Sequence, residues 1–313
     1  MAGALRLAAL RLPQIALTLL LLSLAAWFAI GLMPGDPVSL SLMADPRLTA
    51  ADVARLRALH GLDQPLTERY LAWGAGLLRG EFGYSRLFAQ PAVAVLWPAL
   101  LSTLVLVGAA VLLAALAGTG LGALAALSPR WRRPVDLLAL LAQAVPGFWL
   151  GILLIILFAV RLGWLPAGGL PAEGESPLRY LILPVATLAF GQMAAYARHA
   201  ATALSAELRR PFITSARARG AGEGRLLWHH ALPNAAVPLL TLLALDAGAL
   251  VSGALVTETL FARPGMGKLL YDAVMGNDYN LALLALLLVA LVTMLATLAA
   301  DLAQRWIDPR LGE

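Results

Sequence analysis

A helix needs ~18 consecutive, mostly apolar residues to cross the hydrocarbon core of a bilayer, and this chain returns to that length repeatedly. Apolar stretches run from Leu12 to Met33, Leu100 to Leu127, Val135 to Val160, Tyr180 to Leu204, Ala235 to Val256 and Leu281 to Ala303. Lipid offers backbone groups no hydrogen-bond partners, so each stretch must satisfy its own, as a helix does. Short alternating segments, the mark of a transmembrane barrel, are absent. The composition agrees: 60% of residues are hydrophobic and 13% charged, about half the charge of an ordinary soluble domain. The expected fold is an all-α polytopic membrane protein with six transmembrane helices. With no cysteine in the sequence, disulfides and thiolate metal sites are excluded.

Charge between the spans sets the orientation. Arg6 and Arg11 precede the first span, which is too long for a signal-peptide core and lacks a small-residue cleavage site, so it reads as retained. Arg130, Arg132 and Arg133 crowd one short loop, and six Arg against two Glu lie between Arg198 and His230. The intervening short loops are balanced or acidic. The longest polar segment, 34–98, holds six Arg and six acidic residues, and long segments cross largely regardless of charge. Both termini are therefore expected in the cytoplasm. The net charge of +5 is concentrated in short inter-span loops, so it signals lipid surroundings and not a nucleic-acid partner.

Local signals refine the layout. Pro34 and Pro37 end the first span. Thr49 with Asp52 reads as a helix start. Tyr70, Trp73 and Leu77 form a helical stripe, with Trp73 taken as an interfacial anchor. Gly118 and Gly122 are spaced for close helix packing. Pro146-Gly147 interrupts the third span, read either as a deformable point near a solute path or as a static kink. Asp246 is an ionisable residue deep in the fifth span; it either lines a solute path favouring cationic or amine-bearing solutes, or hydrogen-bonds another span or a partner subunit.

The most informative stretch joins spans four and five. It is rich in arginine (Arg209, Arg210, Arg217, Arg219, Arg225), and a Gly220-Ala221-Gly222 turn divides it into two short helical pieces. Thr214-Ser215-Ala216, Gly220, His230 and Leu232-Pro233 follow the spacing E-A-A, three residues, Gly, nine residues, Ile, one residue, Leu-Pro. This resembles the cytoplasmic loop of the inner-membrane subunits of binding-protein-dependent ABC importers. The departures are Thr214 for Glu, His230 for Ile, and Gly222 where a capping Ser is common.

The likeness extends along the chain in matching order and points to the peptide/nickel permease branch. It includes Ala216 to Gly220, Trp228, His60 to Leu66, Gly80 to Ser85, Pro146 to Gly151, Gly163 to Ala167, Glu258, Phe261, Pro264 to Gly267, Asp278-Tyr279 and Asp308 to Arg310. The resemblance implies a type I importer permease fold with a cytoplasmic coupling helix. It divides the chain into an N-terminus with first span (1–33), a periplasmic segment with short helices (34–98), and a permease domain (99–313) containing the coupling loop (205–234). Thr214, Ser215, Ala216, Arg217, Ala218, Arg219, Gly220, Glu223, His230, Leu232 and Pro233 become the expected coupling residues, and Asp246 and Pro146 the candidates for the translocation path. The implied partners are a second, related permease, giving a heterodimer, two cytoplasmic ATPase subunits and a periplasmic solute-binding protein. The implied location is a bacterial inner membrane. The solute is left among peptides, nickel and related small molecules.

Other chemistries fit poorly. Arg263 to Leu269 approaches a P-loop but has Ala262 and Leu269 where Gly and Ser or Thr are needed, so ATP and its magnesium are expected on the partner ATPases and no cofactor on this chain. Adjacent His229 and His230 diverge on a helix and do not form a metal pair. No H-E-x-x-H motif occurs, and Ser252-Gly253 lacks the preceding glycine of a serine-protease motif, so no enzymatic activity is expected. An ATP-independent channel or secondary transporter would show ionisable residues in several spans or an internal repeat; Asp246 stands alone and no repeat is evident.

Overall fold

A computed structural model describes residues 2–31 and 64–307. The Thr49–Asp52 helix start, most of the His60 to Leu66 run and the tail from Asp308 lie outside the described residues. So does the side chain of Asp246, although its backbone is helical. The chain forms two compact units. One draws on Met1–Arg11, Ala99–Lys268 and Val292–Glu313, the other on Leu12–Pro98 and Leu269–Leu291.

Helices dominate, as the apolar runs demand. In order they are α1 (Ala2–Gly31), α2 (Leu66–Leu78), α3 (Ala92–Leu127), α4 (Pro129–Ala144), α5 (Gly147–Leu154), α6 (Pro177–Leu208), α7 (Pro211–Ala218), α8 (Leu232–Gly253), α9 (Leu255–Leu260), α10 (Met266–Met275) and α11 (Tyr279–Ile307). A two-stranded hairpin, β1 (Tyr84–Ser85) and β2 (Gln90–Pro91), pairs antiparallel before α3. Among the described residues, four helices are long and apolar enough to cross a membrane: Ala9–Gly31, Ala92–Leu127, Pro177–Leu208 and Tyr279–Ala303.

The third span differs from the sequence reading. In place of one helix from Val135 to Val160, α4 and the segment Gly147–Arg161 meet at 101°. The cause is local. A proline drives the residue before it out of the helical region; Val145 sits at φ −89°, ψ 119°, and Pro146 itself is extended at φ −59°, ψ 134°. Two consecutive extended residues stop one helix and re-aim the next. The 16 residues of α4 reach about 24 Å, short of the ~30 Å core. The bent pair is thus a broken span or a re-entrant loop, and Pro146 marks a full interruption, larger than a kink.

In the larger unit, α3 and α6 pack through the glycines singled out by their spacing. A Cβ on Gly118 would come 2.6 Å from the Met193 carbonyl oxygen, and one on Gly122 would come 2.6 Å from that of Ala197. Only glycine permits this approach. Ala200, Leu204, Leu227, Ala231 and Ala235 continue the apolar seam from α6 into the segment entering α8. At the unit's edge, Arg11 pairs with Asp301 at 2.6 Å.

In the smaller unit, the half-buried Trp73 packs into an aromatic cluster. Its ring lies 5.6 Å from that of Trp27 and 6.0 Å from that of Tyr70, and its indole N–H donates to Asn280 Oδ1 at 3.2 Å. The Ser23 and Tyr70 hydroxyls are 2.8 Å apart, and the Trp27 indole donates to the Leu66 carbonyl at 3.0 Å. Asp278, 3% exposed, caps α11 through the Leu281 N–H at 3.2 Å and accepts from Ser85 Oγ at 2.7 Å and the Leu87 N–H at 3.0 Å. One buried carboxylate therefore starts a helix and fixes the hairpin.

Candidate functional site

The arginine-rich loop folds as the Gly220 turn requires. Pro211 opens α7 at a first-turn position, where its missing N–H costs nothing. Ile213 and Ala216 turn inward and pack with Leu226 into a small buried core, against Leu208 and Ala221. Gly220 then takes φ +88°, a left-handed conformation that glycine adopts without strain, and the chain reverses. Across this turn Arg217 grips Glu223 with two bonds, Nε to Oε1 at 3.0 Å and Nη2 to Oε2 at 3.1 Å. Glu207, nine-tenths buried, holds Arg210 at 2.9 Å.

The loop's second half is helical without interruption into α8. A turn at Glu223–Arg225 passes into a π-helical segment, Leu226–Ala231, and then into α8. Pro233 lacks the N–H that would close an α-turn on His229, and the wider π turn lies immediately before it. Asn234 Nδ2 donates to the His230 carbonyl at 2.7 Å, meeting one acceptor in this stretch. Thr214, Ser215, Arg217, Ala218, Arg219, Gly220, Glu223 and Pro233 are exposed, His230 and Leu232 are half-buried, and Ala216 is buried. The expected coupling residues are thereby brought into one braced element. Trp228, 63% exposed, and Phe212 share it as exposed aromatics; the sequence marks Trp228 only by resemblance and gives no signal for Phe212.

The break at Pro146 opens a second feature. A cavity of about 400 Å³ is lined by Val145, Gly147, Phe148, Thr187, Gln192 and Thr257, among others. Pro146 shapes it without lining it. Nearby, the Gln143 carbonyl oxygen, in the amide orientation that hydrogen bonding requires, accepts from Arg198 at 2.6 and 3.0 Å, tying α4 to α6.

The P-loop-like segment takes an internal anion. Glu258 is fully buried, and its Oε2 accepts from the Gly267 N–H at 2.8 Å and the Lys268 N–H at 3.1 Å, the first turn of α10. Thr103 Oγ1 donates to Oε1 at 2.5 Å and accepts from the Met266 N–H at 2.8 Å. A helix N-terminus favours an anion, and here the chain supplies its own. Beside it, burial lowers the pKa of the Arg263 guanidinium, and the Glu258 charge partly opposes that shift. Thr103 and Glu258 are 155 positions apart, and no sequence periodicity pairs them.

Residues 118–313 match the family described as binding-protein-dependent transport system inner membrane component. A probable peptide ABC transporter permease of Sinorhizobium fredii is 34% identical over 289 residues, covering 90% of each chain. The oligopeptide transport system permease AppB of Bacillus subtilis is 31% identical over 286 residues, covering 89% of this chain and 90% of that one. The probable D,D-dipeptide transport system permease DdpB of Escherichia coli is 35% identical over 310 residues, with 90% of each covered. Among solved structures, the inward-facing MetNI methionine ABC transporter shares the fold at a TM-score of 0.57 and 19% identity, over 69% of this chain and 98% of that one.

Proposed function

We propose, from the premise that this chain belongs to the binding-protein-dependent transport system inner membrane component family, that it is a transmembrane permease subunit of an ATP-driven importer of short peptides. It would sit in a bacterial inner membrane with six spans and both termini inside, the bent α4–α5 pair counted as one span and α8 as another. The relatives' names favour peptides over nickel.

The observation that carries this reading is the braced loop, continuous in helical backbone from Glu223 through α8. A pull on Arg217–Glu223 would be transmitted along that rod, because Ile213, Ala216 and Leu226 leave the loop little room to yield. Two cytoplasmic ATPase subunits would grip the loop, binding ATP and magnesium themselves. A second permease would complete the pathway as a heterodimer, and a periplasmic binding protein would deliver the solute. ATP and the loaded binding protein act by their differential affinity for the inward-open and outward-open states. In this reading Pro146 would shape the path wall, and Asp246, on α8, would belong to the path.

The test is reconstitution in liposomes with those partners. ATP-dependent accumulation of a dipeptide, lost when Gly220→Pro removes the turn, is the expected result. Accumulation without ATPase subunits would refute the reading.

A further inference from the structure

We infer that the cavity at the Pro146 break holds the C-terminal carboxylate of the passing peptide, using the free backbone N–H groups of α5 and the hydroxyl of Thr257. This deepens the importer reading and rests on it.

The first turn of a helix leaves N–H groups without intrahelical acceptors. In α5 the Leu150 N–H bonds the Pro146 carbonyl at 3.1 Å, while Gly147 and Phe148, ahead of it, line the cavity with no side-chain cap. The helical backbone continues to Arg161, so the dipole behind those groups is that of a longer helix. Gly147 and Phe148 are exposed, so their N–H groups are open to an incoming acceptor.

The second observation is Thr257. The residue is 5% exposed and lines the same cavity, and no hydrogen bond engages its hydroxyl among the described residues. Thr187, also on that wall, behaves differently: its hydroxyl donates to the Leu183 carbonyl at 2.8 Å and is spent. Among the described residues, no Asp, Glu, Lys or Arg lines the cavity. Along the described lining a carboxylate meets donors and no anionic side chain, while Phe148, Leu150, Phe190 and Val256 offer an apolar wall to the peptide's side chains. The volume suits a small ligand.

The site can be dissected one donor at a time. Gly147 is the first helical position, where proline removes the N–H without breaking a helix. Pro146 already has the extended backbone that a following proline demands, and no atom lies within 4 Å of a Cβ at Gly147. Gly147→Pro deletes one donor; Gly147→Ala adds the carbon and keeps it. Thr257→Val removes the hydroxyl at similar volume.

Uptake of dialanine and of dialanine amide is compared in the reconstituted complex, with the same binding protein in every arm. Any change in the acid-to-amide ratio then belongs to this chain. Gly147→Pro and Thr257→Val are each expected to lower the ratio about tenfold, the scale of one hydrogen bond to a charged group, and Gly147→Ala to leave it unchanged. If Gly147→Pro fails to assemble, the Thr257→Val ratio decides alone. An unchanged ratio in the variants that assemble, with dialanine still accumulated, overturns this inference and spares the importer reading. A wild-type complex that moves neither peptide overturns both.

Discussion

The arginine-rich loop closes a local turn through a carboxylate, and the Glu258 knot ties distant parts of one unit through another, yet they are built on opposite terms. In the loop, Glu223 meets Arg217 in solvent, over a small apolar core. In the knot, Glu258 is fully buried and takes bonds from one hydroxyl and two backbone amides. An exposed ion pair contributes little to stability, whereas a buried carboxylate fully bonded to the backbone is costly to disturb. The loop can therefore spend its surface on a partner, while the knot has no surface to spend.

That contrast orders the expected effects of substitution. Gly265→Ala should be the most damaging, because its Cβ would collide with the Glu258 carboxylate, and that carboxylate is pinned by its bonds. A loss of about 3 kcal/mol or more should appear as a lowered melting temperature of the purified protein. Glu258→Ala should follow at about 2–3 kcal/mol, since it strands the Gly267 and Lys268 amides in a buried site. Gly220→Ala should cost about 1 kcal/mol for a side chain at φ +88°, read by the same melt. Arg217→Ala should move the melt by under about 1 kcal/mol yet reduce transport per ATP hydrolysed. If Arg217→Ala destabilised as strongly as Glu258→Ala, the contrast would fail.

The smallest expected effect is pH-dependent. Glu175, fully exposed between α5 and α6, accepts from Tyr180 and from the Ala172 N–H, and these bonds lower its pKa from its ordinary 4.5. The stabilisation is present above that ordinary value and is lost as pH falls through the depressed one. Fluorescence of nearby Trp164, whose carbonyl Arg179 holds at 2.7 Å, should report a local change below about pH 4.5, and Tyr180→Phe should move that change upward.

Much of this was legible in the sequence, and for physical reasons. Long apolar runs admit only helices in lipid, Gly118 and Gly122 announce close packing, and Gly220 with Leu232-Pro233 outlines the loop. What stayed hidden depends on tertiary neighbours. Pro146 signals a break, but its 101° size follows from Val145 and Pro146 both being extended. Trp73 is amphipathic and suits a membrane interface equally well; its choice of Trp27 and Asn280 is made by packing. The P-loop-like glycines near 265 carry an anion-binding signal, and nothing local says that the anion would be Glu258.

The central claim is that the 211–233 loop faces the cytoplasm and is covered there by ATPase subunits. The chain has no cysteine, and Ser215 is exposed on α7, its hydroxyl donating back to the Pro211 carbonyl at 3.1 Å. Ser215→Cys can therefore be labelled with a membrane-impermeant maleimide in inside-out vesicles, with and without the ATPase subunits. The account predicts labelling from the cytoplasmic face and protection by the ATPases; labelling only from the periplasmic face, or none prevented by the ATPases, would contradict it.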